Sequence, residues 1–279
     1  MSRKHIYVTL SFLLILLLVI LPGCGGQSSL PDDNRPPTND GNNHNSDSDN
    51  SQGENGSPAE PDPAQEIEVW IENSKEIFLA QSREIDGTLS LLVTYGEKNT
   101  GGYSVEITEI DVQEDLVEVT VSFREPDEDE AVTEAITYPY DIEEIEITEL
   151  PVTFIATGAE NYVPELKGID YVKPVVAQSQ WIKLFSPAPE SVVERQFSVD
   201  GIANVFEGNI LYRLKDASER VLVSGNTTAE MGNWRYFIVD ITVDEAVPVE
   251  EKLLLELYTE SAKDGSVENL VQVELELQK

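Results

Sequence analysis

The chain has 279 residues, 53 of them acidic and 18 basic, for a formal net charge of −35. Such a surface repels nucleic acid and anionic lipid, so neither is expected as a binding partner. A single cysteine rules out a disulfide framework. His5 and His44 both fall outside any stretch whose composition can fold, which excludes a histidine triad, a histidine zinc site and a histidine general base from the folded part.

The first element is apolar. Ile6 to Leu21 carries no charge, follows Arg3 and Lys4, and leads into Pro22-Gly23-Cys24. Charge, then an apolar run, then small residues is the order of an export signal. The run is about 16 residues, or roughly 24 Å as a helix, where a membrane span normally needs ~20. An uncleaved transmembrane anchor therefore stays open as the rival reading. The Leu21-Pro22-Gly23-Cys24 end resembles the lipobox of bacterial lipoproteins, although Pro22 departs from its usual small or β-branched residue. The resemblance implies a signal peptide over residues 1–23, a diacylglycerol on the sulfur of Cys24, and a mature chain held at the extracytoplasmic face of the cell membrane.

Residues 24–66 read as a disordered tether. Asn, Asp, Ser, Gly and Pro dominate, and Leu30 is nearly the only large apolar residue before Ile67. A stretch like this cannot bury enough surface to offset its ordering entropy.

From Ile67 the expectation is strands, forming a first β domain over residues 67–157. Val117, Val119, Val121 and Phe123 alternate with polar residues, the period of a sheet with one wet face. Thr88 to Tyr95, Tyr103 to Val112, Ala135 to Tyr140 and Ile142 to Thr148 read as further strands, with a last one near Val152 to Thr157. The acidic turn Asp127 to Glu130 is a candidate for weak calcium binding. Thr100-Gly101-Gly102-Tyr103 ahead of a strand, with Tyr138-Pro139-Tyr140 downstream, resembles the C-terminal domain of the protease-complex subunit PrcB family. The likeness runs from about Ile77 to Ile147 and implies an exported β domain that helps assemble a protease complex. On the residues alone, the two glycines supply positive φ or a close backbone approach, and Tyr103 supplies an amphipathic ring. A core turn and a ligand contact both remain open there.

Residues 158–180 hold Tyr162, Val163, Leu166, Ile169, Tyr171, Val175 and Val176, too many apolar residues for a free linker. They read as a packed connector. Residues 181–279 offer about seven short strands with regular turns, the pattern of an immunoglobulin-like sandwich. Within them, Gly201-Ile202-Ala203-Asn204-Val205-Phe206-Glu207 and Trp234-Arg235-Tyr236-Phe237 follow in order. This resembles the immunoglobulin-like domain of bacterial spore-germination lipoproteins, a family whose pattern implies no catalysis. Glu207 is read as fixing a turn or contacting a ligand. Trp234 and Phe237 fall on opposite faces of a regular strand, so one is expected in the core and the other at the surface.

The fold class expected is therefore all-β, with two small β domains in tandem behind a disordered tether. No catalytic constellation stands out. Carboxylate pairs arise by chance among so many acids, and Lys215 with Ser218 sits in a turn beside Asp216 and Glu219. The expected role is non-enzymatic, without cofactor or metal: binding or scaffolding of another exported protein. An envelope glycan stacked on Tyr103 or Trp234 is the alternative ligand, and a carboxylate-pair enzyme the alternative class.

Overall fold

The computed structural model describes residues 62–249 and 251–278. Cys24, the apolar run and nearly all of the expected tether lie outside them. Among the described residues no helix is long and apolar enough to cross a membrane.

The described chain opens with a helix, α1 (Pro63–Ser74), where the sequence reading ran the tether to Glu66 and began strands at Ile67. The correction has a local cause. Asp62 caps the helix by accepting from the Ala64 amide at 3.1 Å, and proline stands at the first helical position. Ile67, Trp70 and Ile71 then recur at helical spacing and pack with Ile85 and Leu92. The Trp70 indole donates to Gln81 Oε1 at 3.0 Å, and Gln81 Nε2 donates to Ser74 Oγ at 2.9 Å, which pins both ends of that face.

Two three-stranded sheets follow. One has the order β1 (Phe78–Ile85), β2 (Thr88–Tyr95), β5 (Tyr140–Glu146), all antiparallel. The hairpin between β1 and β2 turns through Asp86 and Gly87, both at positive φ, as a two-residue hairpin favours. The other sheet has the order β3 (Ser104–Val112), β4 (Val117–Arg124), β6 (Val152–Gly158), with β4 and β6 parallel. Leu91, Val93, Tyr95, Val117, Val119, Val121 and Phe123 form the core between them. A bulge in β3 frees the Ile107 amide, which donates to Asp141 Oδ2 at 2.7 Å and ties the sheets together. The strand expected over Ala135 to Tyr140 does not form. Pro139 cannot donate to a ladder, and before β5 begins that stretch makes the isolated Lys98–Thr137 bridge and lends the Pro139 carbonyl to the Tyr95 amide at 2.8 Å.

The connector contributes β7 (Leu166–Lys167) and β8 (Ala177–Gln178). Its Pro164 carbonyl accepts from the Ala80 amide at 2.7 Å, and its Glu165 carbonyl from the Trp234 amide at 2.9 Å. One short segment thus lies beside a strand of each module. Val172 is fully buried, and Lys173 bonds Asp200 at 2.7 Å, so the connector packs on the second module.

The second module is a sandwich of two five-stranded sheets. Its strands are β9 (Ile182–Ser186), β10 (Val192–Val193), β11 (Gln196–Ala203), β12 (Asn209–Asp216), β13 (Val221–Thr228), β14 (Trp234–Thr242), β15 (Lys252–Glu260) and β16 (Val267–Leu277). The sheet orders are β10-β16-β15-β12-β13 and β7-β14-β11-β9-β8. Alternating residues of both sheets meet in one core, including Ile182, Leu184, Val199, Ile210, Leu214, Phe237, Ile241, Leu255 and Val273. On the far face of the first of these sheets Glu256 is buried. Burial pushes its carboxyl up, and bonds from Arg213, Gln272 and Lys215 outweigh that, leaving it below the usual carboxylate range.

Candidate functional site

The glycine pair expected to matter sits on the loop into β3. Gly102 has φ +88°, and a Cβ there would meet Val132 Cγ1 at 2.7 Å and Pro126 Cβ at 2.8 Å. Its carbonyl accepts from Arg124 at 2.8 Å. Gly101 donates its amide to the Thr133 carbonyl at 2.9 Å. Both glycines let the acidic 125–135 loop lie flat against the strand entry, a close-approach role. Replacing Gly102 with alanine is expected to cost about 1–2 kcal/mol, from the strained φ and the crowding; urea denaturation measures it.

Tyr103 is half-buried beside that loop. Its ring meets Tyr95 edge-on at 6.1 Å. The Lys98 ammonium lies 3.4 Å from the Tyr95 centroid and 5.0 Å from that of Tyr103. Burial holds the Lys98 amine below its ordinary range, against the pull of Glu160 and Glu125. Tyr95 donates to Glu160 at 3.0 Å, and burial together with that carboxylate drives its phenol far above the usual tyrosine range. A phenol that stays protonated in the folded state while the unfolded one ionises near pH 10 lowers stability as pH rises above that point. Ultraviolet titration of the folded protein is expected to leave at least one tyrosine silent through pH 11, and Tyr95→Phe to lower the number of silent groups by one. Lys98 carries no signal in the sequence, because its position over two rings arises only when β2 and β3 meet.

The Asp127 to Glu130 turn is closed by its own partners. Glu130 pairs with Arg124 and accepts from the Asp127 amide, and the Arg124 guanidinium holds its carboxyl below the usual range. Among the described residues no group of three histidine, cysteine, aspartate or glutamate side chains is arranged to hold a metal. The Lys215 and Ser218 side chains point to different partners: Lys215 pairs with Glu256 at 3.0 Å, and Ser218 donates to Asp216 at 2.6 Å.

Trp234 is where the structure departs most from the sequence reading. Phe237 enters the sandwich core and Trp234 points to the other side of the sheet, as alternation requires. Yet that other side is also covered, and Trp234 is only 3% exposed. Its indole donates to the Phe78 carbonyl at 3.0 Å, and it packs with Ile77, Leu79, Val172, Phe185 and Ile202. The surface contact expected for one of the two aromatics is therefore an internal junction between modules, and a sugar has no access to that ring. Trp181, stacked on Trp234 at 6.3 Å and 36% exposed, holds the outward position instead. Buried Lys183 lies 5.8 Å from the Trp234 ring and bonds Gln178 Oε1 and the Ser179 carbonyl.

Glu207 occupies a tight turn after β11 with φ +59°, unusual for a residue with a side chain. It is exposed, and it fixes its turn by backbone shape. Next to it Phe206 is 67% exposed, and Met231 on the adjoining loop is 63% exposed. Phe206 belongs to the motif by which this region resembles the spore-germination family. The chain buries Val205 and turns Phe206 outward. Gly101, Gly102 and Tyr103 share one site on the first module, Trp234 lies at the junction, and Glu207 lies at a loop of the second.

A cleft of about 250 Å³ opens between the modules' strands, lined by Ala80, Gln81, Phe154, Glu165, Lys167 and Ile169. It is shallow and sits along the outer edge of β6.

These features define an all-β pair of modules sealed on a shared tryptophan. Comparison with known families gives each module a description. Residues 89–146 match the family model described as PrcB C-terminal, and residues 181–266 match the immunoglobulin-like domain of bacterial spore germination, Gmad2. The chain thus carries a PrcB C-terminal type region followed by a Gmad2 type region. Comparison with curated proteins and with solved structures finds no match.

Proposed function

We propose that this is a lipid-anchored extracytoplasmic scaffold that binds another exported protein, in spore germination or envelope maintenance. The observation that carries the reading is the junction at Trp234. Two modules joined through buried apolar side chains and backbone bonds offer a partner one fixed composite surface, which lowers the ordering cost of binding. The family descriptions supply the setting. The Ile6 to Cys24 stretch supplies the attachment, with Cys24 as the acylated residue. The strong negative charge favours a cationic protein surface over nucleic acid or anionic wall polymer. Open strand edges, β6 among them, offer a mode of contact by strand addition.

Cross-linking on intact cells followed by mass spectrometry tests this. The expected result is an exported neighbour linked to residues of the two modules, together with a diacylglyceryl mass on Cys24 that Cys24→Ala abolishes along with membrane retention. Purely cytosolic neighbours and an unmodified thiol would overturn it. The role is non-catalytic on this reading. Turnover of any exported substrate, lost on one carboxylate substitution, would replace it with an enzyme.

A further inference from the structure

The β13 strand is bonded on one side only, to β12. Among the described residues nothing bonds its other edge. Such edges are normally guarded by charge or proline. This one reads Val221-Leu222-Val223-Ser224-Gly225-Asn226-Thr227-Thr228, with neither, in a chain where 25% of residues are charged. The one irregularity is a bulge in β13 itself at Leu222, where Val223 pairs with Leu214 and Val221 with Lys215; from Val223 to Thr228 the pairing is regular.

The apolar residues left in water around this edge have a definite layout. Val221, at its start, is 49% exposed. Past its end stand Phe206 and Met231. Their loops are fixed to each other by the Val205 amide on the Glu230 carbonyl at 3.2 Å and the Ala229 amide on the Gly208 carbonyl at 2.7 Å. Two aromatic or thioether side chains are thus held outward on rigid backbone, the arrangement of a contact anchor.

We propose that the β13 edge pairs with the same edge of a second copy of this chain, antiparallel about a two-fold axis. Antiparallel self-pairing is self-complementary by symmetry. It joins two five-stranded sheets into one of ten. It also brings the Phe206 and Met231 end of each copy beside the exposed Val221 of the other, covering at both ends what each copy leaves in water. A strand without charge meets its twin without like-charge repulsion, whereas the rest of the surface repels. Salt screens that repulsion, so the dimer strengthens as ionic strength rises.

The test uses the full chain in its own membrane. Ser224→Cys under mild oxidation is expected to give a species of twice the chain mass on non-reducing gels. Thr153→Cys on the β6 edge, and the parent with Cys24 alone, are expected to give none. Ser224→Glu places two carboxylates at the axis and weakens dimerisation about fivefold. Ser224→Lys does the same, and mixing the two charge variants restores the pair. Equal cross-linking at Ser224→Cys and Thr153→Cys, or Ser224→Glu and Ser224→Lys that behave alike alone and mixed, overturns the proposal. Unfolding curves of each variant keep a folding defect from being read as loss of pairing.

Discussion

Trp234→Ala is expected to destabilise the protein by about 3–5 kcal/mol, the range for removing a large buried aromatic. That corresponds to a fall of roughly 10 °C in Tm for a chain of this size. Three losses combine. The indole leaves a void among Ile77, Leu79, Val172, Phe185 and Ile202. The Phe78 carbonyl loses its donor. Trp181 loses the ring it stacks on. The diagnostic outcome is the shape of the transition. With Trp234 present, the two modules are expected to melt in one calorimetric step, because each covers a face of the other. In the variant the step is expected to split, the sandwich persisting on its intact inner core. Trp234→Phe keeps most of the buried area and loses only the bond, so it is expected to cost about 1–2 kcal/mol and to keep a single step. A single step in both variants at unchanged Tm would remove the junction as a source of rigidity.

Gly201→Ala is expected to cost about 3 kcal/mol, the upper end for forcing volume into a packed site. The position lies in β11 at the bulge between Asp200 and Gly201, where the strand pairs with β9. A Cβ there would stand 2.2 Å from the Lys183 carbonyl oxygen and 3.0 Å from the Phe237 ring. The first obstacle is backbone already committed to the ladder, so relief requires the strands to part. Gly101→Ala is the informative contrast. Its nearest obstacle is the Thr133 hydroxyl at 2.5 Å, a side-chain atom that can rotate away. That change is expected to cost under about 1 kcal/mol. Denaturant midpoints at unchanged slope measure both.

The same two residues show what the sequence makes legible. Strands with one wet face announce themselves by alternation, and Val117 to Arg124 forms where the pattern puts it; Thr88 to Tyr95 also forms a strand there, but it is buried on both faces. The close approach at Gly201 is visible only in the fold, because the Lys183 carbonyl that it meets belongs to a neighbouring strand. The alternation at Trp234 and Phe237 is also right. What alternation cannot say is whether the outer face is wet, because the cover comes from Ile77 and Leu79, more than 150 residues earlier in the chain. The β1 strand was missed for a related reason. Phe78-Leu79-Ala80-Gln81-Ser82-Arg83 has no clean period, since it packs against the core of the first module, the helix and the sandwich at once. The α1 helix was legible in Asp62, Pro63 and the spacing of Ile67, Trp70 and Ile71, but the acidic composition around it hid the signal.

The segment at Pro164 and Glu165 lends its carbonyls to strands on both sides. Modules joined in that way are not beads that recombination can shuffle at residue 180. A cut there would carry the connector off with the first module, strip the sandwich of its edge and uncover its tryptophan. A transplantable version of the second module starts near residue 164 and must bring, or find in its new neighbour, an apolar patch to stand in for Ile77 and Leu79.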